Sequence, residues 1–305
     1  MRLAAIDIGS NAVRLLIQDV IRQEEGQIYR KKISFTRVPI RLGEDVFSTG
    51  VIGQQKAAAL SKAMKAFWYL MDLNGVEHFR ACATSAMREA LNGQAVADDI
   101  FRDANLRIEL IPGEEEADLI FATLGTSDLL NEYLQSDLLY IDVGGGSTEI
   151  TLMRAGQRAL SASFLLGTVR SMQGMTPDNE WVAVESFLGS IFSEKAVTKE
   201  KAMLAVGTGG NINRYHRLSR AGRGEPVSLK QLAKLHKTLS GLSYEQRIEQ
   251  WGLKPDRADV ILPAGEIYMK VMELAGCKGI IVPKVGLTDG IILNLFQNSE
   301  AIPSH

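Results

Sequence analysis

Two segments of the sequence repeat one pattern, an apolar strand that ends in aspartate and continues into glycine and hydroxyl side chains. The first contains Asp7, Gly9, Ser10 and Asn11, and the second contains Asp142, Gly144, Gly145, Gly146, Ser147, Thr148 and Glu149. Glycine has no Cβ atom, so backbone N–H groups at such turns can approach phosphate oxygens closely. An aspartate at the strand end can bind a divalent metal ion or orient a water molecule. Two copies of the turn predict a pair of phosphate-binding loops.

A third segment, Pro112-Gly113-Glu114-Glu115-Glu116-Ala117-Asp118, places three carboxylates at the start of a predicted helix. The helix macrodipole favours negative charge there, and this explanation suffices for Glu114 and Glu115. Glu116 directly precedes an apolar run, so it could point into a cleft. A glutamate in that position could act as general base on a water molecule.

A fourth segment, Ala83-Thr84-Ser85-Ala86-Met87-Arg88, predicts a strand that ends in hydroxyl side chains. Serine and threonine side chains at such a point can cap the following helix. Arg88 would lie in the first turn of that helix. The functional interpretation adds a phosphate clamp, because a guanidinium group can donate two parallel hydrogen bonds to phosphate oxygens.

Arg214, Arg217, Arg220 and Arg223, with His216, form a basic cluster. A spacing of three residues drifts around an α-helix, so these side chains do not form one tight stripe. The pattern favours an ordinary solvated surface. A guanidinium track for a polyanion is the alternative.

Length and composition limit the classes of function. The chain has 305 residues, of which 46% are hydrophobic and 23% charged, which is enough for two domains of ordinary size. It has no apolar run of membrane-spanning length and no basic-then-apolar leader, so we expect a cytoplasmic protein without membrane contacts. A net charge of −2 gives no global field for DNA. Four scattered histidines lack zinc spacing, and Cys82 and Cys277 are expected to be buried thiols.

The hydrophobic pattern predicts two successive sets of strands and helices. In the first set, strands are predicted at 3–9, 12–20, 27–40, 79–84 and 107–111, and helices at 54–73 and 114–124. In the second, strands are predicted at 138–142, 149–154, 202–206 and 279–283, and helices at 178–195, 228–240, 256–276 and 286–298. The two phosphate loops lie 135 residues apart, which suits duplicated domains with a cleft between them. We predict a first domain at 1–125, joined by the C-terminal helix of about 292–305, and a second at 126–291.

These motifs together resemble the exopolyphosphatase/guanosine pentaphosphate phosphatase (Ppx/GppA) family over essentially the whole chain. The matching segments are 6–11 with Arg14, 83–88 with Asn92, 113–117, 141–149, 166–170 and 207–210. The resemblance implies a two-domain α/β fold of the actin, sugar kinase and Hsp70 (ribonuclease H-like) superfamily. It also implies that Glu116 is the catalytic base and Glu149 the second essential carboxylate.

The resemblance further implies hydrolysis of the terminal phosphoanhydride bond of inorganic polyphosphate. Backbone N–H groups of 9–11 and 144–148, helped by Ser10, Ser147 and Thr148, would hold phosphoryl oxygens. Arg14 and Arg88 would offset the charge of the phosphate chain. Magnesium would be held by Asp7, Asp142 or Glu149, with manganese as a substitute and potassium as a stimulant. A homodimer is a further expectation.

The chain departs from the family pattern in three places. Asp118 stands where arginine is common, and Thr288-Asp289-Gly290 stands where Arg-Glu-Gly is frequent. The sequence also stops at 305, without the C-terminal helical extension of long members. The last feature suggests the short, two-domain form, with less basic channel surface for very long chains.

Three other functions stay open at this point. Guanosine pentaphosphate has the same terminal linkage as polyphosphate and is the alternative substrate. A small-molecule kinase of the same superfamily could hold adenosine at the 207–210 turn. A non-catalytic sensor could bind alarmone or polyphosphate. The presence of both Glu116 and Glu149 favours the hydrolase, because a pure binder gains nothing from carboxylates beside phosphates.

Overall fold

The protein is described by a computed structural model over residues 1–24, 27–125, 133, 136–193 and 203–301. The chain divides into two compact units. Unit 1 comprises Met1–Thr126 and Val285–His305, and unit 2 comprises Ser127–Lys284. The C-terminal segment therefore belongs to the same unit as the N-terminus.

Unit 1 is built on a five-stranded mixed sheet. Its strands are β1 (Arg2–Ile8), β2 (Val13–Arg22), β3 (Ile28–Val38), β4 (His78–Ala83) and β5 (Ile108–Leu110), in the order β3-β2-β1-β4-β5. The first three strands form an antiparallel meander, and β4 and β5 run parallel to β1. All of β1 beyond Arg2 is buried, as expected for a central strand covered on both faces.

The helices of unit 1 were predicted unevenly. Its first five are α1 (Leu42–Thr49), α2 (Gln54–Leu73), α3 (Ser85–Glu89), α4 (Gly93–Ala104) and α5 (Gly113–Leu124). The bounds of α2 match the sequence prediction, whereas α1 and α4 were missed. Neither missed helix has a side-chain N-cap, which is the signal that normally marks a helix start. Asn92 precedes α4 but uses its side chain to bind the backbone of Ile52 instead.

Unit 2 has a similar strand order to unit 1 when its sheet is read from β8, with one more strand, β10, at the far edge. Its strands are β6 (Leu138–Val143), β7 (Thr148–Arg154), β8 (Gln157–Phe164), β9 (Leu204–Thr208), β10 (Val227–Ser228) and β11 (Gly279–Ile281), in the order β10-β11-β9-β6-β7-β8. Again the first three strands form a meander, and the next long-range partners, β9 and β11, run parallel to the first. Two mixed sheets with helices confirm the predicted α/β class.

The helices of unit 2 include one correction. They are α6 (Thr168–Met172), α7 (Glu180–Ser193), α8 (Gly210–Ser219), α9 (Leu229–Ser240), α10 (Tyr244–Glu249), α11 (Pro255–Ala258) and α12 (Ile261–Leu274). The single helix predicted over 256–276 is wrong, because it divides into α11 and α12. Pro263 explains the break, since its ring would clash with the carbonyl of Asp259 in a continuous helix. In the described part of the chain, no helix has the length and apolarity needed to cross a membrane.

The last helix, α13 (Leu287–Ala301), packs on α5 and on β1 of unit 1. The contact is very close, because a Cβ added at Gly290 would lie 2.0 Å from the carbonyl oxygen of Leu119. Asp289 accepts hydrogen bonds from Gln18 Nε2 at 3.3 Å and from the N–H of Gly286 at 3.1 Å. Burial raises the pKa of Asp289. Asp289, which departs from the family pattern, therefore anchors α13 to the sheet, and Gly290, which matches the pattern, allows the close contact with α5.

Both cysteines are buried free thiols, as the sequence predicted. Burial raises the pKa of Cys82 and of Cys277 to about 12. Because the thiolate is the reactive form, neither side chain is suited to nucleophilic chemistry at neutral pH.

We predict that Gly290→Ala lowers the free energy of unfolding by about 1–3 kcal/mol, because the added methyl group must push α13 away from α5. Urea denaturation followed by circular dichroism measures the change. Gly286→Ala is the matched control, since a Cβ there meets no atom within 4 Å. Equal stability of the two variants would contradict the close contact.

Candidate phosphate-binding and catalytic site

A row of charged side chains crosses the sheet of unit 1 at Asp7. Asp7 lies opposite Arg14 on β2, and Arg14 lies opposite Arg37 on β3, so all three project from one face. Arg14 Nη1 forms an ion pair with Asp7 Oδ2. The Asp7 side chain is 6% exposed and that of Arg14 is 30% exposed. The predicted metal ligand Asp7 therefore already has a cationic partner. Arg37 is a further basic residue in this row that the sequence motifs did not indicate.

The loop after β1 is fixed through its backbone. The carbonyl of Ser10 accepts a hydrogen bond from the N–H of Gly43 at 2.8 Å, and that of Asn11 accepts one from the N–H of Arg41 at 3.0 Å. Both donors belong to the start of α1. The N–H of Gly9 is bonded to the carbonyl of Ala12, which closes the turn. The start of α1 thus determines how residues 9–11 present their remaining groups.

The hydroxyl of Ser10 is joined to that of Ser85 at 2.8 Å, and both residues are buried. The predicted side-chain capping of the helix after β4 is wrong. Thr84 occupies the N-cap position of α3, but no side-chain hydrogen bond caps the helix. Ser85 instead ties the β4 end of the sheet to the phosphate loop of unit 1.

Arg88 and Glu116 lie next to each other. Arg88 Nη1 donates to the carbonyl of Ile111 at 2.7 Å and lies 3.6 Å from Glu116 Oε2. The side chains are 29% and 14% exposed, respectively. The positive charge of a guanidinium group at this distance offsets part of the desolvation penalty of a carboxylate with low exposure. Glu116 therefore lies largely out of bulk solvent.

The other glutamates of the first turn of α5 differ from Glu116. Glu114 is exposed, and Glu115 forms an ion pair with Arg80 at 2.6 Å. Arg80 also binds Glu109 at 2.7 Å. The macrodipole explanation for Glu115 was incomplete, since a guanidinium group on β4 holds its carboxylate.

Asp142 and Glu149 lie opposite each other on β6 and β7 of unit 2. Opposite residues in an antiparallel pair share one face and have neighbouring Cβ atoms. Glu149 is 3% exposed, and its Oε1 accepts hydrogen bonds from Ser147 Oγ at 2.7 Å and Ser163 Oγ at 3.0 Å. Unit 2 therefore presents a carboxylate pair at the position where unit 1 has the Asp7–Arg14 ion pair.

The loop at 144–146 is held by the start of α6. The carbonyls of Gly144 and Gly145 accept hydrogen bonds from the N–H groups of Thr168 and Val169 at 3.0 and 2.9 Å. The carbonyl of Gly146 accepts one from Arg170 Nε at 2.8 Å. In a trans peptide the N–H points opposite to the carbonyl. The N–H groups of residues 145, 146 and 147 therefore point away from α6, where they could donate to an anion.

Two predicted hydroxyl donors of this loop are engaged elsewhere. Ser147 directs its hydroxyl to Glu149. The Thr148 side chain is fully buried, and its hydroxyl donates to the carbonyl of Leu166 at 2.5 Å. Both hydroxyl protons are therefore engaged within the protein, and phosphate binding by this loop would have to use its backbone N–H groups.

The third glycine turn lies beside Asp142. Thr208 is the register partner of Asp142 on β9, and a Cβ at Gly209 would lie 3.1 Å from Asp142 Oδ1. Gly209 has φ +99°, a conformation that L side chains rarely adopt. Tyr140 and Tyr268 bind Thr208 through their hydroxyls, and burial raises the pKa of both well above the usual value. The turn at 207–210, which matched the family pattern, therefore lies directly beside Asp142.

The carboxylates of unit 2 suit magnesium better than a transition metal. The described residues contain no group of three or more His, Cys, Asp or Glu side chains arranged to hold a metal ion. Magnesium commonly uses one or two carboxylates together with substrate phosphates and water. The Asp142–Glu149 pair supplies two oxygen donors of this kind, whereas Asp7 is bound to Arg14.

Residues 20–299 match the model of the Ppx/GppA phosphatase family. The chain belongs to this family. The fold is shared with a solved exopolyphosphatase from Cytophaga hutchinsonii, with a TM-score of 0.81, 22% identity and coverage of 98% of both chains. These matches confirm the family resemblance and the fold inferred from the motifs.

Curated relatives of this Ppx/GppA protein carry several names. Exopolyphosphatase 2 of Mycobacterium tuberculosis is 29% identical over 96% of this chain and 98% of its own length. The guanosine-5'-triphosphate,3'-diphosphate pyrophosphatase of Aeromonas hydrophila is 25% identical over 97% of this chain and 60% of its own. A bifunctional 3-dehydroquinate synthase/phosphatase of Fusobacterium nucleatum is also 25% identical, and the chain spans 46% of its length. The family relationship supports a phosphohydrolase.

We predict that Gly167→Ala weakens binding of tripolyphosphate at least about tenfold. The added methyl group would displace the Gly145 and Gly146 peptides, so that their N–H groups could no longer donate to phosphate oxygens. The added Cβ would lie 2.3 Å from the carbonyl oxygen of Gly145. Isothermal titration calorimetry measures the affinity. Gly189→Ala on α7 is the control, since its Cβ would meet no atom within 4 Å. Unchanged affinity in Gly167→Ala would show that this loop does not bind phosphate.

Proposed function

We propose that the protein is an exopolyphosphatase, which removes the terminal phosphate of inorganic polyphosphate by direct attack of water. The Arg88–Glu116 pair carries the proposal, because it places a largely buried carboxylate beside a cation suited to phosphate. Membership of the Ppx/GppA phosphatase family and relatives named exopolyphosphatase support it. The described thiols are buried and protonated at neutral pH, so they favour no covalent phosphoenzyme.

Glu116 would act as general base. It would take a proton from water as the water oxygen forms a bond to the terminal phosphorus. The phosphoanhydride bond then breaks, and the shortened chain keeps the bridging oxygen. Arg88 would bind phosphoryl oxygens through its guanidinium group and oppose the charge that develops on them.

The other residues of unit 1 would bind and neutralise the phosphate chain. Backbone N–H groups of Ser10 and Asn11 would hold phosphoryl oxygens, with the loop kept in place by α1 and by the Ser10–Ser85 contact. The N–H of Gly9 was predicted to take part, but it is bonded to the carbonyl of Ala12 and would instead stabilise the turn. Arg14 would contribute positive charge, and its ion pair with Asp7 would orient it. Arg37 lies next in the same row and would extend this charge.

The residues of unit 2 would bind phosphate and metal. The backbone N–H groups of 145–147 would bind phosphoryl oxygens, and Arg170 would support this loop through its hydrogen bond to the carbonyl of Gly146. Asp142 and Glu149 would hold a magnesium ion, which supplies positive charge for the phosphate oxygens. Ser147 and Ser163 would orient Glu149 for this role through their hydrogen bonds.

Guanosine pentaphosphate is the second candidate substrate. It carries the same terminal phosphoanhydride bond, and the Aeromonas hydrophila relative is named for a guanosine nucleotide substrate. The residue roles above apply equally to its terminal phosphate. Comparing kcat/KM for the two substrates decides between them.

We predict that Glu116→Gln lowers kcat for phosphate release from polyphosphate by about 10²–10⁴-fold, because the amide cannot accept the proton of water. A colorimetric phosphate assay measures turnover, and circular dichroism checks the fold. Glu114→Gln, in the same helical turn but exposed, is the matched control and should retain normal turnover. Near-normal turnover in Glu116→Gln would refute its role as the base.

We also predict that Asp142→Asn raises the magnesium concentration needed for half-maximal activity by about tenfold or more, since an amide oxygen is a weaker ligand than a carboxylate. Phosphate release during a magnesium titration measures this. Asp118→Asn on the exposed side of α5 makes the same charge change and serves as control. An unchanged magnesium dependence in Asp142→Asn would remove this residue from the metal site.

A further inference from the structure

The segment 210–240 has a charge unlike that of the rest of the chain. It contains seven lysines and arginines and a single acidic residue, Glu225. Its net charge is therefore +6 in a protein whose total is −2, which leaves −8 for the remaining residues. Protein surfaces normally intersperse both signs. The concentration of one sign in α8, α9 and the loop between them calls for a physical explanation.

Helix α9 carries a continuous cationic stripe. Lys230, Lys234 and Lys237 follow spacings of four and three residues, so they project within one narrow arc of the helix. The buried Leu232 and Leu239 lie on the opposite side. A capping box formed by Ser228 and Gln231 fixes the start of the helix. All three lysines are exposed.

The adjoining helix α8 and its following loop add three exposed arginines, Arg217, Arg220 and Arg223. Helix α8 packs against α9. We call these three arginines and the three lysines the α8–α9 cationic surface. None of the six forms an ion pair with a carboxylate of the described residues. Glu225 accepts a hydrogen bond from the N–H of Gly222 at 2.7 Å and so serves the loop backbone.

Two other basic residues of the segment have structural roles. Arg214 is half-buried and donates to the carbonyl of Trp251. Partial burial and the nearby charge of Arg217 lower the pKa of Arg214. His216 is buried. The expectation of a solvated surface was thus right for Arg217, Arg220 and Arg223 and wrong for Arg214 and His216.

The cationic surface begins at the phosphate-binding part of unit 2. Helix α8 starts at Gly210, directly after the turn that lies beside Asp142. At about 1.5 Å per residue, Arg217 lies roughly 10 Å along the helix from that point. The positive end of the α8 dipole is its start, which favours an anion at the same place. A chain of phosphates that left the 144–147 loop along α8 would reach Arg217 after this distance and then the rest of the cationic surface.

We propose that the α8–α9 cationic surface is a secondary binding site for long inorganic polyphosphate, which holds the chain beyond its terminal phosphates. This inference rests on the proposed function. Inorganic polyphosphate offers only anionic oxygens, and exposed lysines and arginines match it without further groups. Nucleic acid suits the surface less well, because single-strand binding uses exposed aromatic rings. The only aromatic residue of 210–240 apart from histidine is Tyr215, which is 1% exposed.

The test replaces Lys230, Lys234 and Lys237 with glutamine. Since each lost phosphate contact weakens binding, KM for long-chain polyphosphate should rise about tenfold or more at physiological salt, with kcat unchanged. KM for tripolyphosphate, which is too short to reach α9, should change less than about twofold. The matched control replaces the exposed Lys62, Lys65 and Arg102 of unit 1 with glutamine and should leave both KM values unchanged.

Direct binding separates this inference from the proposed function. Fluorescence anisotropy of end-labelled long-chain polyphosphate requires no hydrolysis. The slope of log Kd against log salt should fall by about two in the triple lysine variant. Equal affinity of the two triple variants would overturn the inference, even if wild-type protein releases phosphate. Weaker binding confined to the lysine variant would support it, even if no phosphate release were found. Displacement of the label by DNA as efficient as by polyphosphate would overturn the assignment to polyphosphate.

Discussion

The structure of each unit depends on one constraint, the backbone hydrogen bonds that fix the loop after its first strand to the start of a later helix. In unit 1 the carbonyls of Ser10 and Asn11 are bound by Gly43 and Arg41, at the start of α1. In unit 2 the carbonyls of Gly144 and Gly145 are bound by Thr168 and Val169, at the start of α6. In both cases the loop follows the first strand of a meander, and the helix follows the third. In each unit the helix that follows the third strand of the meander therefore holds the loop that follows the first strand.

The two units then differ in how they treat the aspartate before that loop. Asp7 faces Arg14 across the β-ladder, whereas Asp142 faces Glu149. An aspartate paired with arginine is neutralised within the protein, and the arginine can still bind an anion. Two facing carboxylates are stabilised only by a cation or by hydrogen-bond donors. One duplicated position therefore holds an ion pair in unit 1 and two facing carboxylates in unit 2, which the proposed function uses for phosphate and metal binding, respectively.

Local sequence determined which features could be predicted. The glycine loops and α2 could be predicted because their local signals are strong. In the loops the signal is glycine directly after an apolar strand, and in α2 it is a long run of apolar residues at helical spacing. Helices α1 and α4 lacked capping side chains, so their starts were missed. The apolar spacing over 256–276 suggested one helix, but Pro263 divides it into α11 and α12. Contacts that depend on strand register or tertiary packing could not be predicted from the local sequence pattern. Arg37 joins Arg14 only through strand pairing, and Ser85 reaches Ser10 only after β4 pairs with β1. The segment 166–170 was selected as a motif, but its hydrogen bonds to the loop at 144–146 were not predicted.

The most direct test of the account follows the fate of water. Wild-type protein would be incubated with polyphosphate and magnesium in oxygen-18-labelled water, and the released phosphate analysed by mass spectrometry. Direct hydrolysis predicts one labelled oxygen in each phosphate, released without any acceptor molecule. Phosphate transfer that appears only when a nucleoside diphosphate or small-molecule acceptor is added would contradict the account and favour a kinase. Tight polyphosphate binding without any phosphate release would contradict it in favour of a sensor.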